Sequence, residues 1–255
     1  MKLKILQTIP LQSFYMSTQQ CKLTGCGQAI QYVATFFCSF NVINSGLEYG
    51  WTSASFPILM KLRSFEITSE EGVWIATLPL PGAIIGSITN AVTCDIFGRK
   101  NMILFSCLPF TIHWILLAFA NAAFVVYIAR FLAGFASGVV LSAIPMYIGE
   151  ISNAKIRGML CGIAPLCIAF GVFLTNLMHL FLSITAASLL ALVFPIGCFI
   201  GLIFMPESPY FYLMKNKEEK ALRSMKIFSG SEYSESDFIR IKTLLKNRIA
   251  RKKKA

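Results

Sequence analysis

Six apolar runs of similar length decide what this chain can become. They lie near residues 29–50, 73–93, 101–120, 124–147, 159–181 and 184–205, and each approaches the roughly 20 residues a helix needs to cross a hydrocarbon core. Helix is the expected state, because an open strand in lipid leaves its backbone N–H and C=O groups unpaired. The first run is the most polar, with Asn41, Asn44 and Glu48 inside it. Composition agrees: 56% of the 255 residues are hydrophobic and only 14% charged, where a soluble domain carries charge on about a quarter.

The basic residues give the runs a direction. Lys2, Lys4 and Lys22 precede the first run, Arg99 and Lys100 follow the second, Lys155 and Arg157 follow the fourth, and thirteen more stand between Lys215 and Lys254. Only Lys61 and Arg63 fall in the loops on the other side, beside Glu66, Glu70 and Glu71. The positive-inside rule therefore predicts both termini in the cytosol. The expected organisation is a tail over 1–28, a six-span bundle over 29–205 and a helical, basic segment over 206–255. The net charge of +11 reads as topology. A nucleic-acid partner explains a basic tail but not its alignment with the spans, and none is expected.

Eight cysteines are scattered, and Cys21 and Cys26 have no His or further Cys at zinc spacing. Neither a disulfide framework nor a metal or other cofactor is expected. His113 and His179 stand isolated in apolar surroundings. With no nucleophile, metal cluster or phosphate loop, the chain does not read as an enzyme. Gly82/Gly86, Gly134/Gly138, Gly158/Gly162 and Gly197/Gly201 form four small-xxx-small pairs, through which membrane helices approach closely.

Three constellations remain: "DIFGRK" (95–100), "PMYIGEISNAKIRG" (145–158) and "PESP" (206–209). Each joins a helix-breaking Gly or Pro to charges of both signs. The expected pairs are Asp95 with Arg99, Glu150 with Arg157, and Glu207 with the basic tail. Paired across helix ends they form a gate that locks in one conformation and opens in another; otherwise they are solvated loop charges, worth little each.

Together these residues resemble the sugar porters of the major facilitator superfamily. The match runs through Asp95…Gly98-Arg99-Lys100, Arg130…Gly134, Pro145-Met146-Tyr147…Glu150-Ile151…Arg157-Gly158 and Pro206 to Pro209. The stretches "GWTSASFP", "WIATLPLPGAIIG", "RFLAG" and "PMYIGEI" look most like insect facilitated trehalose transporters and their relatives. The resemblance implies an all-α membrane protein. Its six-transmembrane-helix bundle is the N-terminal half of the major facilitator fold, with short cytosolic helices at the C-terminus. "YFYLMKNKEEKALRSMKIF" resembles the first of these and "SESDFIRIKTLLKNRIARKKK" the second. The implied activity is facilitated movement of trehalose or a hexose by rocking one half against the other, at the plasma membrane. The implied partners are the sugar, the lipid bilayer and a second six-span half or full-length relative. The alternative is a truncated, non-transporting isoform that pairs with such a relative.

Departures from the family pattern matter too. Pro165 stands where hexose carriers have a sugar-binding Gln, and Ile168 and Val172 match positions lining the sugar path. These three share one helix stripe; a Pro kink facing another helix is the competing reading. After Gly50-Trp51 comes Thr52, where proton-coupled members carry Asp, which implies passive transport. Glu48 is expected near the outer end, within reach of water and of Arg130. Ala91 replaces a usual Gly, and Tyr210 replaces the Arg that often follows PESP. Lys252-Lys253 resembles an endoplasmic-reticulum retrieval signal, and attraction to anionic lipid explains it equally well.

Overall fold

A computed structural model describes residues 26–62, 68–230, 238–239 and 241–243. Ten helices are named here: α1 (Cys26–Leu62), α2 (Ser69–Thr77), α3 (Pro79–Phe97), α4 (Arg99–Ala118), α5 (Ala123–Ile151), α6 (Ala154–Phe181), α7 (Ile184–Ala191), α8 (Val193–Ile203), α9 (Pro209–Met214) and α10 (Glu218–Ser229). No strand occurs among the described residues. Segments 1–25 and 244–255, with the Lys252-Lys253 motif, lie outside them.

Among the described residues, five stretches are long and apolar enough to cross a membrane: Glu70–Phe97, Arg99–Ala118, Ala123–Ile151, Ala154–Phe181 and Ile184–Ile203. The second and sixth runs are thus each built from two helices in series. Leu78 still donates its N–H to Trp74 O at 3.0 Å, so the bend before Pro79 interrupts the ladder without ending it. Thr68 starts α2 with a capping box, exchanging hydrogen bonds with Glu71. The long polar helix α1 has 37 residues, enough to cross. It is not one of the five apolar spans, because its polar residues dilute it. Gln31, Asn41, Asn44 and Glu48 are all buried, so they face neighbouring helices instead of lipid.

Connections are short, which makes successive helices antiparallel. Gly98 alone separates α3 from α4, and Ser152 with Asn153 separates α5 from α6. Gly98 has φ +104°, a conformation L side chains avoid. A Cβ there also meets the Glu207 carboxylate. Inside the bundle α1 packs on α6, α3 and α4 on α5, and α8 on α1 and α4.

Glycine sets two of these crossings. Gly134 and Gly138 of α5 face the carbonyls of Pro79 and Ala83 on α3, while Gly82 and Gly86 of α3 face those of Phe131 and Phe135 on α5. At such approaches Cα–H meets C=O, worth about 0.5–1 kcal/mol each. Ser87 Oγ donates to Gly138 O at 3.2 Å, and Asn90 Nδ2 to Ser142 Oγ at 2.9 Å, along the same seam. Gly46 and Gly171 make the α1–α6 crossing in the same way, each against the other's backbone, with Gly50 set on Val172 and Thr175. Gly197 and Gly201 accept the rings of Phe40 and Phe37. Gly158 and Gly162 do not pack: no atom lies within 4 Å of a Cβ built on either. They sit on the outward face of α6, whose Leu166, Phe173 and Leu180 are exposed.

Beyond the spans, Ser208 caps α9 and Pro209 opens it. In α10, Ala221, Ser224, Met225 and Phe228 are buried, the i, i+3, i+4, i+7 stripe of a docked amphipathic helix. It sits on the start of α1, where Gln31 Nε2 donates to Phe228 O at 2.7 Å. Ser224 Oγ ties it back to Glu207 O at 2.6 Å.

Candidate functional site: charge locks at the two ends of the bundle

At the end carrying α9 and α10, the GR step of "DIFGRK" places Arg99 at the first position of α4, only 5% exposed. Its guanidinium reaches Asp95 Oδ1 at 3.0 Å, Glu150 Oε1 at 3.1 Å and donates to Cys94 O at 3.3 Å. One side chain so joins α3, α4 and α5. Ser208 Oγ donates to the other oxygen of Glu150. Glu207 Oε1 accepts the backbone N–H of Lys100 at 3.0 Å and of Ser208 at 2.9 Å. Lys100 Nζ donates to Ile203 O at 2.9 Å, closing the carbonyl end of α8 with a cation. Tyr147 Oη donates to Pro206 O at 2.8 Å. The chain's exit at PESP is therefore bonded to three other helices.

One expected pairing differs. Glu150 meets Arg99, not Arg157. Glu150 faces α4 just before the chain turns at Ser152, and Arg157, one turn into α6, emerges exposed and donates from Nη2 to Ser152 O at 3.2 Å. Among the described residues Glu207 is held by the backbone amides of Lys100 and Ser208, and most of the basic tail lies outside them. Burial pushes the Glu207 carboxyl above its usual range, and the amides of Lys100 and Ser208 pull against that.

At the opposite end Arg130 of α5 is 2% exposed and uses its whole fork. Nη1 pairs with Glu48 Oε1 at 3.1 Å and donates to Glu48 O at 3.0 Å; Nη2 donates to Thr52 Oγ1 at 2.6 Å, and Nε to Ile75 O at 3.2 Å. The guanidinium also lies 5.3 Å from the centre of Trp51. Glu48 is 0% exposed, so the water expected around it is replaced by Arg130. Trp51 is 1% exposed and belongs to the core with Leu47, Trp114 and Val126. Pro165 is exposed, whereas Ile168 and Val172 are half-buried, their backbones against Gly46 and Gly50.

Several linking residues carried no signal in sequence. His179 is not isolated: its Nε2 lies 2.8 Å from Ser55 Oγ, across 124 residues. His113 Nδ1 lies 2.8 Å from Ala129 O, and Trp114 Nε1 donates to Asn44 Oδ1 at 2.7 Å. Such long-range polar contacts have no local pattern. The Gly46/Gly50 pair did have one, the G-x-x-x-G of "GLEYG". Among the described residues no cluster of His, Cys, Asp and Glu is arranged to hold a metal ion.

An all-helical bundle with apolar spans and interhelix charge locks at both ends has the architecture of a membrane-embedded helical protein. The family model for sugar (and other) transporters matches residues 16–255, and the chain belongs to that family, whose members are carriers and not enzymes. It is 31% identical over 201 residues to a facilitated trehalose transporter Tret1 of Bombyx mori, covering 78% of this chain and 39% of that one. It is 27% identical to a Tret1 of Polypedilum vanderplanki, covering 79% and 40%. The chain thus spans about two fifths of the length of these curated relatives. Among solved structures, the proton:xylose symporter XylE bound to 6-bromo-6-deoxy-D-glucose superposes with a TM-score of 0.72 at 18% identity, over 86% of this chain and 54% of that one. Inward-open XylE from E. coli gives 0.69 at 19%, over 86% and 56%. The shared fold is the N-terminal half of a major facilitator sugar porter.

Proposed function

We propose that the chain is the N-terminal half of a facilitative sugar carrier that moves trehalose or a hexose by alternating access at the plasma membrane. The observation that carries this reading is Arg99, a buried cation shared by three helices at the end where PESP leaves the bundle. Such a lock favours motion of the half as one rigid body. Asp95, Gly98, Arg99, Lys100, Glu150 and Glu207 hold that end, which lies in the cytosol together with both termini. Arg157 and Gly158, on the exposed side of the same end, are free to meet the second six-span half or a full-length relative. At the outer end Arg130 holds Trp51 and Thr52, the start of the sugar path that continues past Pro165, Ile168 and Val172. Thr52 in the position of an acid supports passive movement without a proton partner.

The test is uptake of labelled trehalose and glucose in oocytes by the complete carrier that contains this half. Arg99→Ala lowers uptake by tenfold or more, since a transition-state or conformational penalty of about 1.4 kcal/mol already costs that much. Uptake that is saturable in the parent and unchanged in the variant, at equal surface expression, removes the gate role.

A further inference from the structure

We propose, on the carrier reading above, that Asn176 of α6 is a specificity-determining residue and that it favours a sugar of two linked rings over a single ring. The sugar path then runs one turn further out than Val172.

Beyond Arg157, Asn176 is the only polar side chain among the exposed positions of α6; Leu166, Phe170, Phe173, Leu177 and Leu180 are typical of the rest. An amide facing lipid forfeits its hydrogen bonds with water, so on a spanning helix it belongs beside a water-filled path or a polar partner. Asn176 Nδ2 donates to Val172 O at 2.7 Å. That bond leaves Oδ1 and the second N–H of the amide for a ligand.

The α1–α6 crossing fixes which way this amide looks. Gly50 sits on Val172 and Thr175, and the alternation of the spans makes α1 and α6 run in the same direction. With about 3.6 residues per turn, Tyr49 and Ser53 of α1 then fall on the same side of the seam as Pro165, Val172 and Asn176. Tyr49 and Ser53 are both exposed. Ser55 Oγ and His179 Nε2, 2.8 Å apart, hold the two helices together at this end. A ring, a hydroxyl and an amide so line one side, which suits a pyranose with its apolar C–H face and its hydroxyl edge.

Depth separates one ring from two. In two-half carriers the substrate sits near the bilayer midplane, and the middle of the 28-residue α6 falls at Ile168. Asn176 stands about 12 Å further along the axis, beyond the reach of a single ring held at Ile168. A second ring linked to the first reaches it, passing Tyr49 on the way. Of Pro165, Ile168, Val172 and Asn176, only Asn176 has a side chain that can bond a hydroxyl.

The test compares trehalose with glucose as substrates of the complete carrier in oocytes. Asn176→Leu raises KM for trehalose about fivefold to tenfold, the scale of one or two neutral hydrogen bonds. The maximal rate stays unchanged, the pattern of lost uniform binding. KM for glucose stays within about twofold, and Asn176→Gln recovers most of the affinity for trehalose. A second measurement reads occupancy without transport: in the same carrier lacking its native cysteines, trehalose protects Ser53→Cys from a membrane-impermeant maleimide and glucose does not. Equal changes for the two sugars, a fall in maximal rate alone, labelling of Ser53→Cys indifferent to trehalose, or a parent that carries only glucose overturns the proposal and leaves the carrier reading standing. A parent with no saturable uptake of either sugar overturns the carrier reading itself, and the proposal with it.

Discussion

Arg99 shows how much one residue decides. It is a cation at the amino end of α4, where the helix dipole disfavours it. Asp95 and Glu150 outweigh that through two ion pairs near 3 Å. Removing the cation leaves Glu150 half-buried beside Ser208 alone. Arg99→Ala is expected to lose about 3–5 kcal/mol of stability, read by unfolding in mixed micelles, and Arg99→Ala with Glu150→Gln to lose less than Arg99→Ala alone. Glu207 supplies a pH signature. Its folded form holds the proton more tightly than the unfolded chain does. Its stabilising contribution is therefore complete below the unfolded carboxylate pKa and is withdrawn as pH rises through the raised folded value. Glu207→Gln keeps the Oε1 acceptor and fixes the neutral state. The variant should lack that part of the stability loss as pH rises from the ordinary carboxylate range; identical pH profiles for variant and parent contradict the assignment.

At the scale of elements, glycine placement separates packed from open helix faces. Gly134→Ala puts a methyl into the backbone of Pro79 and should cost about 1–3 kcal/mol. Gly162→Ala meets no atom within 4 Å and should be neutral or stabilise by up to about 1 kcal/mol, the helix propensity of alanine over glycine. Resistance to unfolding in dodecyl sulfate compares the two. This contrast also marks what sequence reading can deliver. Spacing identified Gly82/Gly86 and Gly134/Gly138, which do form a crossing. It identified Gly158/Gly162 equally well, yet those face outward, because spacing fixes a shared face and not what covers it. The charge pairs show the same limit. Asp95 and Arg99, four residues apart, were legible as a local pair, whereas Glu150 chose a partner 51 residues away over the nearer Arg157.

For the whole molecule, five of the six apolar runs were readable as candidate spans because lipid imposes one length and one composition on a spanning helix. Even α1, polar in sequence, runs as a helix through Asn41, Asn44 and Glu48, since neighbouring helices accept its polar groups. The interior polar bonds were not readable, Ser55 to His179 among them, because they arise only when the tertiary fold brings distant residues together. The central claim is that the turns at Gly98, Ser152-Asn153 and 204–208 share one side of a bilayer, and those at 119–122 and 182–183 the other. Labelling from outside intact cells by a membrane-impermeant maleimide tests it most directly, with Asn121→Cys and Asn216→Cys each placed alone in a background lacking the native cysteines. The account predicts that Asn121→Cys is labelled and that Asn216→Cys reacts only after permeabilisation. Labelling of both from the same side contradicts it.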